Sequence, residues 1–130
     1  MTTTLARCLL IGVLAAGAAL GPAAAQTYPS RPVTFVVPFA PGGVTDTSGR
    51  LIAEALSRRL GQQVVVENKA GASGNIGTQG VVNAAPDGYT LVLGFDGTLV
   101  INPHVFSPFP FDTLKDLAPV GKIGDAILIL

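Results

Sequence analysis

Charge is scarce in this chain: eight Lys and Arg and eight Asp and Glu make up 12 % of 130 residues and cancel to a formal net charge of zero. A nucleic-acid binder needs a basic field over part of its surface, and this balance argues against one. Tryptophan is absent, and the six Phe and two Tyr are not interleaved with Lys or Arg as a base-stacking platform requires. One Cys and one His nearly exclude a transition-metal centre. Low charge with abundant Val, Ile and Leu excludes a disordered chain. The length allows one domain at most.

Polar groups are missing altogether from residues 9–25, and residues 1–25 hold one charged side chain, Arg7. The run ends Ala23-Ala24-Ala25-Gln26, a small-x-small cleavage signature. A basic start, an apolar middle and small residues before the cut read as a secretory signal peptide over residues 1–25. A membrane anchor is the competing reading, but Gly12, Gly17, Gly21 and Pro22 make the run short and poorly helical for a permanent span. Cys8 is a poor lipid-attachment site, because Arg7 stands where a small residue is wanted. Cleavage after Ala25 removes Arg7 and Cys8, leaving seven basic and eight acidic side chains, a net charge of −1, and no cysteine. Such a protein depends on its hydrophobic core alone.

What remains is rich in Val, Ile, Gly and Pro. Residues 28–32 (Tyr-Pro-Ser-Arg-Pro) read as an extended lead-in. Residues 33–37 (Val-Thr-Phe-Val-Val) are apolar at nearly every position, which suits a strand buried on both faces of a parallel sheet. Leu51, Ile52, Ala55, Leu56 and Leu60 recur at helical spacing, with Gly61 as the stop and Thr45, Asp46 and Thr47 as candidate N-caps. Residues 63–67 predict a second strand, 76–84 a second helix weakened by Gly80, and 89–93 a third, buried strand. Strand–helix–strand–helix–strand implies an α/β fold: a parallel sheet flanked by helices. Beyond Gly94 the pattern loosens. Asp112 is placed to cap a short helix through Leu117, and residues 120–123 read as a further strand. The wholly apolar residues 126–130 read as a buried strand, which implies the front part of a longer protein; a short edge strand at a true C-terminus is the alternative.

Three loops follow the three strands, and in open α/β sheets ligands bind beyond the carboxyl ends of the strands. The first is Phe39-Ala40-Pro41-Gly42-Gly43-Val44-Thr45-Asp46, whose glycines allow close backbone approach ahead of a helix with unpaired N–H groups. That favours an anion, although a tight turn with a capped helix explains the residues equally well. The second, residues 71–77, offers Ser73 and Asn75 among glycines spaced G-x-x-G-x-x-G, which is neither the dinucleotide fingerprint nor a phosphate loop. Ser73 is outside any G-x-S-x-G nucleophile elbow. The third, residues 94–98, adds Gly97 and Thr98 as a further backbone donor and a hydroxyl. Catalytic constellations are thin. His104 reads as a surface or structural histidine, and Asp46, Asp87, Asp96 and Asp112 each sit at a turn or cap.

Five segments then fall in succession: Tyr28-Pro-Ser-Arg-Pro-Val, Val37-Pro-Phe-Ala-Pro-Gly-Gly-Val-Thr-Asp-Thr, Val66-Glu-Asn-Lys-Ala-Gly-Ala-Ser-Gly-Asn-Ile-Gly, Pro86-Asp-Gly-Tyr-Thr-Leu and Ile101-Asn-Pro. In these the chain resembles the Bug-type extracytoplasmic substrate-binding proteins of tripartite tricarboxylate transporters. The resemblance implies a periplasmic, non-catalytic, two-lobed receptor of the type II periplasmic-binding-protein kind, closing on a small organic carboxylate. It implies no cofactor and no metal, a monomer, and the membrane subunits of the cognate transporter as partner. Residues 26–130 would be the N-terminal portion of lobe 1, incomplete and without the second lobe. Carried over by position, the ligand contacts implied are Phe39, Ala40, Pro41, Gly42, Gly43, Thr45 and Asp46, then Ser73 and Asn75, then Gly97 and Thr98. Val44 departs from a common third glycine, and Gly49 from the usual alanine. An exported hydrolase of an anionic ester, built on Ser73, and a non-functional truncated remnant are the competing readings.

Overall fold

The computed structural model describes residues 27–125, so the export signal read at residues 1–25 and the apolar run at 126–130 lie outside it. Strand β1 (Val33–Val37) is buried at four of its five positions, as its unbroken apolar run requires. It is central. Strands β2 (Val64–Asn68) and β3 (Thr90–Val92) flank it, both parallel, in the order β2-β1-β3. Phe35 sets the register, lying opposite Val66 on one side and Leu91 on the other. β3 is shorter than the sequence implies and only half-buried, because among the described residues it is a sheet edge.

Helix α1 (Val44–Leu60) follows β1 and packs on β1 and β2; helix α2 (Asn75–Val82) follows β2 and packs on β3 and β1. The chain steps one way from β1 to β2 and back past β1 to β3, so connections of one hand place the two helices on opposite faces. The core cluster joins Val33, Phe35, Val37, Val64 and Leu93 of the sheet region to Ala53 of α1, with Ile52, Leu56 and Leu60 packed against it. Close approach has a sequence cause at each helix. A Cβ on Gly49 would lie 2.8 Å from Val37 Cγ2, so glycine here lets α1 sit down on the sheet. A Cβ on Gly77 would lie 2.6 Å from the Lys69 carbonyl oxygen and 3.0 Å from Pro38 Cα, backbone atoms that cannot move aside.

The lead-in is strapped to the start of β3. Tyr28 donates its hydroxyl hydrogen to the Gly88 carbonyl (2.6 Å), and the Ser30 N–H donates to the Tyr89 hydroxyl (2.9 Å). Arg31 pairs with Asp87 at 2.8 Å and stacks 4.0 Å above the Tyr89 ring.

Three expectations are corrected, and one stretch left unassigned takes a definite form. The N-cap of α1 is Gly43, in extended conformation, rather than Thr45, Asp46 or Thr47; Asp46 instead reaches back from the first turn. Gly97–Ile101 forms one wide turn, closed by the Asn102 N–H on the Gly97 carbonyl, and runs into α3 (Asn102–Val105), a stretch where the sequence pattern is loose. Asp112 caps only a turn, accepting from the Leu114 and Lys115 N–H groups, because the segment is short and buries no apolar face, Leu114 being exposed. Residues 120–123 form no strand: Val120 and Ile123 are exposed, and no neighbouring edge among the described residues takes up their backbone.

The two glycines of α2 should respond oppositely to alanine. Gly77→Ala forces a Cβ into backbone and should lower the unfolding free energy by about 1–3 kcal/mol. Gly80→Ala meets nothing within 4 Å and should raise it by about 0.5–1 kcal/mol, both read from denaturant midpoints.

Candidate functional site

All three loops leave the carboxyl ends of parallel strands, and the chain's lateral direction reverses between β1 and β3, the position where such sheets open a crevice. The first loop is held from below by a charged network. Asp46 is buried, and its carboxylate accepts from the Gly42 N–H (2.9 Å), Asn68 Nδ2 (2.8 Å) and Arg50 Nε (3.0 Å). Asn68 Nδ2 also donates to the Phe39 carbonyl at 3.1 Å, and Asn68 Oδ1 accepts from Arg50 Nη2 at 3.0 Å. The Arg50 hydrogen bond, then those from Gly42 and Asn68, hold the Asp46 carboxyl down to about 2. Asp46 thus fixes both ends of the Phe39–Gly42 stretch. Gly43 offers no capping side chain, so the first-turn N–H groups of Val44, Thr45 and Asp46 are left for an outside acceptor.

The second loop is strained. Ala72 (φ 46°) and Ser73 (φ 54°) sit in the left-handed region between Gly71 and Gly74, which share that sign. Each non-glycine residue there costs roughly 1–2 kcal/mol. Two donors grip the turn at its apex: Thr98 Oγ1 donates to the Ser73 carbonyl at 2.8 Å and Asn102 Nδ2 at 3.0 Å. Asn102 Nδ2 also reaches Asn75 Oδ1 at 2.7 Å. Thr78, wholly buried, donates to the Gly74 carbonyl. Gly74 has no room for a side chain, since a Cβ would lie 2.5 Å from Thr98 Oγ1 and 3.4 Å from Phe39 Cζ.

The third loop is largely spent on itself and on the second. The Phe95 carbonyl accepts the Thr98 and Leu99 N–H groups, and Asp96 Oδ1 accepts the Gly97 N–H. Thr98 is buried with its hydroxyl donated to Ser73. Phe39 and Phe95 meet edge to face, ring centroids 5.7 Å apart, which closes a circuit from the first loop through the third.

Phe39, Ser73, Asn75 and Thr98 therefore come together, as the three loops do. Ala40, Pro41, Gly42 and Gly43 form an exposed shoulder leading into α1, and Thr45 is half-buried in its first turn. The N–H groups of Gly42 and Gly97 and the hydrogen of the Thr98 hydroxyl serve the scaffold. The N–H groups of Ala72 and Ser73 meet no protein acceptor among the described residues, and the exposed Ser73 hydroxyl and the Asn75 NH2 are likewise unpaired there. No Lys or Arg occurs in any of the three loops. The arrangement offers amide and hydroxyl donors, and the nearby Arg50 is paired with Asp46, chemistry that suits an anion at a helix start. Among the described residues no cluster of three His, Cys, Asp or Glu side chains is placed to hold a metal ion. A groove lined by Arg50, Glu54, Ser57 and Val65 runs along the flank between α1 and β2 rather than across the loops.

Sequence reasoning misses Asn68 and Asn102. The available signal for Asn102 is one amide side chain directly after the apolar Leu99-Val100-Ile101; inside a fold such a group must be bonded.

The family model described as "Tripartite tricarboxylate transporter family receptor" matches residues 49–130. Protein BugT of Bordetella pertussis is 44 % identical over 123 residues, covering 93 % of this chain and 38 % of that protein. Among solved structures, MatC from Rhodopseudomonas palustris with bound malate aligns with a TM-score of 0.66 at 44 % identity, covering 68 % of this chain and 30 % of that one. A second R. palustris protein, with adipate, aligns with a TM-score of 0.65 at 42 % identity, covering 67 % and 29 %. The chain spans 36–38 % of the length of the first three curated relatives.

The buried Asp46 sets a pH dependence. Its folded-state value is depressed from 3.8 to about 2, so the stability it contributes is present above about pH 4 and lost as pH falls toward 2. Urea midpoints measured from pH 5 down to pH 2 should fall across that window, and Asp46→Asn should flatten the fall.

Proposed function

Because the chain belongs to the tripartite tricarboxylate transporter receptor family, we propose that it forms the donor-bearing wall of an extracytoplasmic receptor for a small organic carboxylate. The observation that carries this reading is the convergence of the three loops at the Ser73 turn, where the Ala72 and Ser73 N–H groups meet no protein acceptor among the described residues. One carboxylate takes the first-turn N–H groups of α1 together with those of Ala72 and Ser73, and the Ser73 hydroxyl and the Asn75 NH2 complete its shell. Each charge-assisted hydrogen bond of this kind is worth about 1.5–3 kcal/mol. Phe39, Ala40, Pro41, Gly42 and Gly43 shape the mouth. Asp46, Gly97 and Thr98 act from behind, keeping the donors in place rather than touching the ligand.

The solved relatives with malate and with adipate support a carboxylate ligand. On this reading residues 26–130 are the front of the first lobe, a second lobe supplies the opposing wall, and residues 1–25 direct export to the periplasm. Closure of the lobes buries the ligand, and the closed form docks on the membrane subunits of its transporter. The reaction-free role is supported by the family itself, which is described as a transporter receptor.

Calorimetry on the full-length protein with malate, succinate, tartrate, adipate, galactarate, citrate and benzoate tests the proposal. At least one should bind, and Ser73→Ala should weaken that acid by about 10- to 100-fold. Silence across the whole panel rejects a carboxylate receptor.

A further inference from the structure

Phe95 has no part in a grip made of amides and hydroxyls, yet it stands beside them. Its backbone is fixed, because its carbonyl accepts two N–H groups, at 3.1 Å from Thr98 and 3.0 Å from Leu99. The residue is nevertheless 42 % exposed. The inner side of its ring packs against Phe39 with an interplanar angle of 84°, and the Phe39 ring tip adjoins Gly74 of the strained turn. Gly97 leaves room for this placement, since a Cβ there would fall 3.1 Å from Phe95 Cε1. The result is an exposed hydrocarbon surface, anchored at its base and neighbouring the donors that take the carboxylate.

We propose that Phe95, backed by Phe39, is a specificity-determining residue that selects carboxylates with a bare hydrocarbon body over equally charged acids carrying hydroxyl groups there. The inference rests on the carboxylate-receptor reading and narrows its ligand. A methylene laid against the rings leaves water with gain, about fourfold in affinity for each one buried. A hydroxyl in the same place loses its water and finds no partner, because neither ring can accept or donate a conventional hydrogen bond.

Two matched pairs of dicarboxylates test this by calorimetry on the full-length protein: adipate against galactarate, and succinate against tartrate. Within a pair, length and charge are equal and only hydroxyl groups differ. The unsubstituted acid should bind at least about tenfold tighter in one pair or both. Phe95→Ser should bring that ratio to within about threefold by weakening the unsubstituted acid, whereas Phe95→Leu, which keeps a hydrocarbon surface, should retain most of it. Equal affinity within both pairs, binding confined to hydroxylated acids, or a ratio that Phe95→Ser leaves unchanged overturns the inference while carboxylate binding stands. No heat with any acid of the wider panel overturns both.

Discussion

The Ser73 carbonyl is the point on which the crevice hangs. A left-handed turn containing Ala72 and Ser73 is unfavourable for L-residues, and it persists only where the surroundings over-determine it. Here two side-chain donors from the third loop close on one oxygen, at 2.8 and 3.0 Å, and both donors are buried. Buried donors without acceptors carry a full desolvation penalty, so releasing the turn would strand the Thr98 hydroxyl and one of the two N–H groups of the Asn102 amide together. The strain of one segment and the polar satisfaction of another are thereby the same equilibrium.

The first loop is governed differently. Its fixed points are electrostatic: a buried carboxylate, neutralised by Arg50 and bonded to Gly42 and Asn68. With Asn68 also holding the Phe39 carbonyl, the end of β2 sets the exit of β1. Close packing of Gly77 against Pro38 and Lys69 locks α2 to the same corner. Three elements distant in sequence therefore define one surface through two kinds of constraint, polar closure and steric contact.

Much of this architecture is legible in the order of the amino acids. The unbroken apolar run of β1, the helical spacing from Leu51 to Leu60, and the strand–helix alternation are local signals, and they place the sheet, both main helices and the three loops. What is not legible is what needs a partner. Asp46 reads as a cap because Asp commonly caps; its actual role depends on Asn68 and Arg50 and on its burial. Gly49 reads as a departure from the usual alanine, yet it is the contact that seats α1 on Val37. Thr98 and Gly97 read as free donors, but their hydrogens are used within the scaffold. Residues 120–123 have a strand's composition without an edge to pair with, and composition alone supplies no edge.

The strap at Tyr28, Ser30 and Arg31 fixes where the chain's front emerges. It fastens to Asp87, Gly88 and Tyr89, which precede β3, so the polypeptide enters at the end of the sheet remote from the three loops. An affinity handle, a fluorescent reporter or a surface linker joined directly before Tyr28 is therefore attached at the end of the described sheet opposite the three loops. The three loops are thereby separated from such cargo by the length of the strands.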